Sequence, residues 1–353
     1  MAKKALNEKK AIVSEEKITY CAFDLHCDNA VLVVMNEDKK IIVRKRLAMD
    51  LKTILAELEP FRRNHAGVAV ESTYNWYWLA DGLMADSYTT LLVHTAAMGE
   101  SQKKTTGDFD DAVRICEKMR DKSLPVGFIC DRAVREIRDL LRRRLRFVRY
   151  RSSLKAALSC VIARQLGVRM GADKIMHLSA DELTDRLGEV TGFEAQRIVR
   201  CILNMDTEIA EIEKFVLARC KLSRDFHILK TIPGVGDILA MTIMLEVCTI
   251  RRFRTAGKFA SYCRLVCAIR TSNKKLKGKG NRRNGNRYLS WAFHEAAVTA
   301  ARYNPTIGAF FCRKQAGKKE RRPIAVASTG AKLAKSAFYM IRDQQEFDVT
   351  KSF

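Results

Sequence analysis

The chain has 353 residues, of which 47% are hydrophobic and 29% charged, so it can fold into two or three domains and is not intrinsically disordered. Lysine and arginine number 64 against 40 acidic residues, giving a formal net charge of +24. Such an excess of one sign favours a polyanionic partner such as a nucleic acid. A generic basic protein, for example a ribosome-associated factor, has the same charge balance and stays open as an alternative.

Apolar runs and cysteine spacing argue against several other classes of protein. Residues 1–17 contain no apolar stretch of the signal-peptide kind, and the run 238–247 is too short to span a bilayer and contains Glu246. The eleven cysteines include no Cys-x-x-Cys pair, which argues against a zinc site. We therefore expect reduced, mostly buried thiols in a cytoplasmic protein without a membrane role.

After a flexible basic tail, the first third of the chain has the pattern of an α/β domain. Short polar breaks separate its first three apolar segments, which predicts an antiparallel meander, and helix and strand then alternate. This order predicts a mixed sheet. The strands are expected at 18–23, 30–35, 41–43, 67–71 and 90–94, and the helices at 51–62 and 76–84.

From about residue 107 the pattern is helical. The stretches 131–166 and 194–222 carry apolar stripes at helical spacing, so they could pair as an antiparallel or intermolecular coiled coil or pack as ordinary bundle helices. The first of them is rich in arginine, and we expect it to contact nucleic-acid backbone through Arg142, Arg143 and Arg146. The fold class is thus α/β plus α. The predicted parts are a tail at 1–16, a catalytic domain at 17–128, a long helical connector at 129–228 and a helical domain at 229–345.

Four carboxylates stand at predicted strand ends and at a helix start. Asp24 ends the first strand, Glu71 ends the fourth, and Asp108 and Asp111 are three residues apart on one helical face. Crowded carboxylates repel each other unless a cation neutralises them, and Mg²⁺ or Mn²⁺ with oxygen ligands is the natural occupant. Such ions support phosphodiester chemistry. Taken singly, each acid has a structural alternative, such as favouring a helix N-terminus.

Two features of the C-terminal half predict phosphate contacts. The turn Pro233-Gly-Val-Gly236 is typical of a helix-hairpin-helix motif, in which Gly234 and Gly236 let backbone N–H groups approach a phosphate, although a plain tight turn fits too. A Gly/Lys/Arg/Asn loop then follows, with eight cations and no acid between 270 and 287, and a solvated loop is its alternative. The eight cations are Arg270, Lys274, Lys275, Lys277, Lys279, Arg282, Arg283 and Arg287.

The acidic segments resemble a known family. Phe23-Asp24-Leu-His, Val70-Glu71-Ser-Thr and Asp108-Phe-Asp-Asp111-Ala112 are similar, in order and spacing, to the DEDD motifs of insertion-sequence transposases. That family includes pilin-gene invertases and bridge-RNA-guided recombinases. The resemblance implies an N-terminal domain of the RuvC-like, RNase H type that binds Mg²⁺ (or Mn²⁺) through these four acids.

The C-terminal half resembles the same family, so the likeness runs from Tyr20 to about Arg342. The family has a Pro-Gly-x-Gly hairpin, a helix that this chain matches with Phe259-Ala to Leu265, and then a nucleophilic serine, which falls at Ser272. The family usually has Ser-Gly there, whereas this chain has Ser272-Asn273. The resemblance implies a transposase or site-specific recombinase that cleaves and rejoins donor and target DNA through Ser272. It also implies a structured guide RNA, a homo-oligomer (dimer or tetramer) and a nucleoid-associated location in a prokaryote.

Two other functions stay open on the residues alone. A metal-dependent, junction-type nuclease would use the carboxylates to activate water and leave Ser272 without a role. A catalytically inert nucleic-acid scaffold would use only the basic segments.

Overall fold

The computed structural model describes residues 17–98, 107–266, 269–272, 275–279 and 285–353. The chain forms two compact units, Met1–Ile129 and Cys130–Phe353. The first contains a mixed six-stranded sheet with helices, and the second is mainly helical with a two-stranded sheet, so the α/β plus α class is observed. The finer division into a connector, 129–228, and a domain, 229–345, stays a prediction.

The sheet of the first unit has the strand order β3-β2-β1-β4-β5-β6. The predicted antiparallel meander of the first three strands is confirmed, β4 and β5 continue the sheet in parallel, and β6 pairs antiparallel with β5. β6 has only two residues and therefore no periodicity that a sequence pattern could reveal. The elements are β1 Thr19–Leu25, β2 Asn29–Asn36, β3 Ile41–Ala48, α1 Leu51–Leu58, β4 His65–Glu71, α2 Tyr77–Ala85, β5 Thr90–Val93, α3 Asp108–Arg120 and β6 Val126–Gly127.

Helices cover both faces of this sheet. Alternate side chains of a strand point to opposite faces, so Phe23 packs with the α1 and α2 side, whereas its neighbour Ala22 packs with the α3 side. Burial on both faces explains why β1 and β2 are nearly continuous apolar runs. The edge strand β3 is largely exposed and carries Arg44, Lys45 and Arg46.

The second unit consists of helices of very different length. The elements are α4 Arg132–Leu166, α5 Ala172–Met176, α6 Ala180–Leu187, α7 Glu189–Cys220, α8 Arg224–Lys230, α9 Asp237–Val247, α10 Ala256–Tyr262, β7 Ile269–Ser272, β8 Lys275–Lys279, α11 Arg287–Tyr303, α12 Pro305–Gln315, α13 Arg322–Asp343 and α14 Val349–Ser352. Short 3-10 turns lie at Glu59–Phe61, Thr95–Ala97, Ile250–Arg252 and Lys319–Arg321. None of the helices in the described ranges is long and apolar enough to cross a membrane.

The two long helices, α4 and α7, pair antiparallel within the chain. Ion pairs join Arg144 to Glu213 at 2.5 Å and Arg164 to Glu194 at 3.9 Å, and a third joins Arg151 to Asp206. The residue numbers rise along α4 as they fall along α7, which only an antiparallel arrangement produces. Near the α5 and α6 end, Leu158, Ile162 and Ile202 fill a small core.

A buried ion pair fixes the start of α11. The Glu246 side chain is 3% exposed and accepts hydrogen bonds from Arg142 Nε at 2.6 Å and Nη2 at 2.7 Å. Asn286 Nδ2 donates to the same carboxylate at 2.6 Å, and Asn286 Oδ1 accepts from the backbone N–H groups of Tyr288 and Leu289. One carboxylate thus connects α4, α9 and the N-terminal cap of α11.

Two sequence expectations were wrong. Cys130 and Cys248, whose Cα atoms are 6.2 Å apart, form a disulfide although we expected reduced thiols throughout. They are separated by 118 residues, so no spacing rule could connect them. Part of the basic loop is also regular structure, because β7 and β8 pair antiparallel. The β-branched residues Ile269 and Thr271, which alternate along β7, suit a strand.

Candidate functional site

Asp24 and Glu71 lie side by side because β1 and β4 run parallel. Phe23 is in register with Val70, so the next residue of each strand ends up beside the other at the same edge of the sheet. Asp24 is 7% exposed and Glu71 is half-buried. The two carboxyl groups are close enough for Asp24 to raise the pKa of Glu71. The sheet therefore brings together the two acids that the sequence placed at strand ends.

The other two predicted acids lie in the first turn of α3. Asp111 is close enough to Asp24 for their charges to repel. Asp108 Oδ2 accepts a 2.5 Å hydrogen bond from Arg46 Nη2 of β3. Between them, Asp110 Oδ2 accepts a 3.2 Å hydrogen bond from the Gly107 N–H at the helix start, which gives Asp110 a local structural role.

Two basic side chains at this cluster, His26 and Arg46, had no role predicted from the sequence. His26 Nε2 lies 3.4 Å from Asp24 Oδ2 and 3.5 Å from Asp108 Oδ2, so it stands between two of the acids. Arg46 is held on its other side by Asn29, whose Oδ1 accepts from Arg46 Nη1 at 3.1 Å. His26 and Arg46 are both far from Asp108 along the chain, Arg46 by 62 residues. Their contacts with Asp108 therefore leave no local signal in the sequence.

The surroundings of the four acids shift their pKa values in opposite directions. Burial, then the hydrogen bond and charge of Asp24, raises the pKa of Glu71 to about 8. Burial and the charge of Asp24 also raise the pKa of Asp111, whereas the hydrogen bond from Arg46 lowers the pKa of Asp108. Burial and the neighbouring Asp24 thus oppose the ionisation of Glu71 and Asp111, whereas Arg46 compensates the charge of Asp108.

As the side chains stand, the described residues contain no set of three or more His, Cys, Asp or Glu groups arranged to hold a metal ion. The chemical character of the cluster is nevertheless that of a cation site: its donors are oxygens, and their charges conflict when no cation is present.

Ser272 is the last residue of β7 and pairs with Lys275, the first residue of β8. The serine is therefore placed at one end of the two-stranded sheet, with the exposed Lys275 opposite it. Arg270 is in register with Gly278, and Lys279 with Ile269, so these predicted phosphate contacts lie on the same pair of strands; Lys277 lies in β8. Lys274, Arg282 and Arg283 lie outside the described residues.

The two glycines of the predicted helix-hairpin-helix turn have different surroundings. Gly234 has φ +84°, and a Cβ atom there would lie 2.7 Å from Ala300 N and 2.9 Å from Ala296 O of α11. Close helix packing therefore requires this glycine. A Cβ atom at Gly236, the N-terminal cap of α9, would meet nothing within 4 Å. Gly236 is thus the one of the two that leaves space for a ligand.

The predicted arginine contacts also separate into two kinds. Arg142 is engaged by Glu246, and its guanidinium lies 4.7 Å from the ring centroid of Tyr288. Arg143 and Arg146 of α4 and Arg287 at the start of α11 are exposed. The structure therefore gives Arg142 a role in holding the helices together and leaves the other three accessible.

The raised pKa of Glu71 predicts a pH-dependent stability. The folded chain holds this proton from about pH 4.5 to about pH 8, where an unfolded chain has lost it, so the free energy of unfolding falls as pH rises through this window. Urea unfolding in EDTA should show a shallower fall for Glu71→Gln than for the wild type. Glu37→Gln, at an exposed glutamate of the same unit, should behave like the wild type. Equal slopes for all three proteins would contradict the assignment.

The contrast between Gly234 and Gly236 predicts different effects of alanine. Gly234→Ala should lower the free energy of unfolding by about 1–3 kcal/mol, because the methyl group overlaps the backbone of α11. Gly236→Ala should cost less than about 1 kcal/mol. If a phosphate approaches Gly236, the same methyl group should weaken DNA binding while the fold is kept. Urea unfolding and fluorescence anisotropy measure the two effects, and equal destabilisation would disprove the packing argument.

In a comparison with known sequences, two segments of the chain match models of transposases. Residues 21–164 match the model of a DEDD-type transposase domain of the IS110 group, and residues 226–312 match the transposase IS116/IS110/IS902 family. Of the similar curated proteins, the transposase for insertion sequence element IS1111A of Coxiella burnetii is 25% identical over 227 residues, which cover 60% of this chain. The insertion element IS116 uncharacterized 44.8 kDa protein of Streptomyces clavuligerus is 23% identical over 146 residues, or 41% of this chain.

The matched segments span 58% and 36% of the lengths of these two relatives. The two family matches fall on the two parts of the chain that carry the predicted motifs, the acidic cluster in one and the Gly-rich turn with Ser272 in the other. Both matched segments are therefore similar to DEDD-type insertion-sequence transposases.

Proposed function

We propose that this chain is a DNA transposase, a site-specific recombinase that cleaves and rejoins DNA through Ser272 with the help of a divalent cation at the acidic cluster. The observation that carries the proposal is the crowding of Asp24, Glu71 and Asp111 at one edge of the sheet, in a chain that is similar to DEDD-type transposases. Carboxylates in that arrangement are suited to phosphoryl transfer.

The residues present fit a divalent cation. Asp24, Glu71 and Asp111 offer carboxylate oxygens, which Mg²⁺ and Mn²⁺ prefer. Burial, and then the neighbouring Asp24, raises the pKa of Glu71, and a bound cation would stabilise its ionised form. Asp108 would join them on leaving Arg46, whose side chain is 47% exposed and would keep its hydrogen bond to Asn29 Oδ1. When bound, the cation supplies stabilisation of negative charge on the phosphoryl oxygens.

In the proposed chemistry, Ser272 forms a covalent link to DNA. Its Oγ attacks phosphorus, the bond from phosphorus to the leaving DNA oxygen breaks, and the serine proton passes to a base. The phosphoserine ester keeps the energy of the broken phosphodiester, so a DNA hydroxyl can attack it and restore the serine. The cations Arg270, Lys275 and Lys277 on the same two strands would hold the charged phosphate.

Several finer features belong to the proposal. The first unit is of the RuvC-like, RNase H type; support comes from the antiparallel β1–β3 meander, the parallel β4 and the acids at the ends of β1 and β4. The turn with Gly236 acts as a helix-hairpin-helix element. Donor and target DNA are the substrates, a structured guide RNA selects them, and the active form is a homo-oligomer of two or four copies. These last points rest on the family resemblance.

Removing the acids tests the metal. Asp24→Asn, Glu71→Gln and Asp111→Asn should each lower strand cleavage at least about 10²-fold, because each removes charge that holds the cation. EDTA should do the same to the wild type. Asp110→Asn is the matched control: it changes an acid of the same helix turn that caps the helix, and it should keep most of the activity. Full cleavage in EDTA, with metal removal verified by elemental analysis, would disprove the proposed metal site.

Changing Ser272 tests the nucleophile. Ser272→Ala should bind DNA and metal as the wild type does yet form no covalent adduct on a suicide substrate. Ser261→Ala and Ser290→Ala, at the serines of α10 and α11, should form the adduct normally, and mass spectrometry of the wild-type adduct should find the modified residue at 272.

Each other outcome points elsewhere. Free DNA ends without an adduct, together with normal cleavage by Ser272→Ala, would favour the water-using nuclease. An adduct on Ser261, Ser290 or a tyrosine would show that the nucleophile is misassigned. No cleavage at all in the presence of Mg²⁺ or Mn²⁺ would favour the inert scaffold.

A further inference from the structure

The turn between α12 and α13 carries a dense group of cations outside the segments that the motifs cover. Residues 313–322, here called the basic turn, are Arg-Lys-Gln-Ala-Gly-Lys-Lys-Glu-Arg-Arg, with six cations and one acid. The basic turn begins one residue after the family match at 226–312 ends. Neither the predicted motifs nor the family match therefore assigns it a role.

All six cations are exposed, and none of them forms an ion pair with a carboxylate in the part of the chain that the structure describes. The arginines of α4 differ: Arg142, Arg144 and Arg151 are paired with Glu246, Glu213 and Asp206. A solvated helix face usually intersperses both signs of charge, which lowers repulsion. The basic turn lacks this compensation, so its positive potential is available to a partner.

The backbone of the basic turn is held in a defined shape. Ala316 and Gly317 have φ values of +51° and +68°, which reverse the chain after α12. The N–H of Ala316 bonds to Cys312 O at 2.9 Å, that of Lys318 to Gln315 O at 3.1 Å, and that of Arg321 to Lys318 O at 3.1 Å.

Aromatic rings support several of the cationic side chains. The Phe310 ring lies under Arg313 and Lys314, with 5.8 Å and 5.5 Å to its centroid, and the Phe311 ring lies 5.9 Å from Arg322. These contacts order the cations before any partner arrives, which lowers the entropic cost of binding.

We propose that the basic turn binds the phosphate backbone of double-stranded DNA, as a contact surface separate from Ser272 and the acidic cluster. The inference rests on the proposed function, which makes DNA the substrate. Six cations on one short turn match the regular line of negative charge along a DNA strand. Lysine and arginine contacts to phosphates carry no sequence information, so this surface adds affinity for any duplex.

The test uses the full chain and two triple variants of equal charge. Lys318→Ala, Lys319→Ala and Arg321→Ala remove three cations of the turn, leaving Arg313, Lys314 and Arg322, which lie near the rings of Phe310 and Phe311. Lys174→Ala, Arg200→Ala and Lys221→Ala remove three exposed cations of α5, α7 and the C-terminal cap of α7, as the matched control. Fluorescence anisotropy with an unrelated duplex of about 30 base pairs, measured at several salt concentrations, gives the slope of log affinity against log salt.

The turn variant should flatten this slope by about 0.9 for each phosphate that the protein no longer neutralises, hence by about 2 to 3, on every duplex sequence tried. The control should keep the wild-type slope, and both variants should keep the wild-type melting temperature. A steep wild-type slope that the turn variant retains would overturn this inference and leave the proposed function standing. A decrease confined to RNA binding would also overturn it. Failure of the wild type itself to bind DNA would overturn the proposed function together with this surface.

Discussion

The parallel pairing of β1 with β4 is the constraint on which the acidic cluster depends. Phe23 and Val70 are held in register, so the following residues, Asp24 and Glu71, lie side by side at the same edge of the sheet, Asp24 buried and Glu71 half-buried. Burial opposes the ionisation of Glu71 and the neighbouring Asp24 opposes it further, so the pKa of Glu71 is raised. The covering helix α3 adds Asp111 to the same place. A cation would relieve a conflict that the fold itself imposes.

Charge in the second unit is divided between structural and accessible cations. Arg142 lies against the buried carboxylate of Glu246, which Asn286 also contacts, so this arginine holds three helices together. Arg143 and Arg146, on the same helix, are exposed, as are the cations of the basic turn. The net charge of +24 therefore does not show which cations a nucleic acid can reach. The ion pairs seen in the structure separate the cations that bind carboxylates from those that stay accessible.

Local patterns were sufficient for most of the secondary structure and for the four acids. The strands β1, β2 and β4 are apolar runs bounded by polar residues, and α4 is an uninterrupted helical pattern capped by Asp131 and Gly167, so short-range physics alone places them. The meander followed from its short breaks. Asp24 and Glu71 could be placed at strand ends because each directly follows such a run. The role proposed for Ser272 came only from the resemblance to a family.

Contacts between distant residues were decided only by the tertiary structure. No local pattern distinguishes Gly234, which α11 packs against, from Gly236, which faces open space, because both belong to one turn motif. Three contacts join residues that are 62 to 118 positions apart: the Arg46–Asp108 hydrogen bond, the Arg142–Glu246 ion pair and the Cys130–Cys248 disulfide. A periodic pattern shows whether a residue lies on the buried or the exposed face of its own helix or strand. The identity of a long-range partner depends on how the elements pack, and the sequence by itself determined the elements without determining those partners.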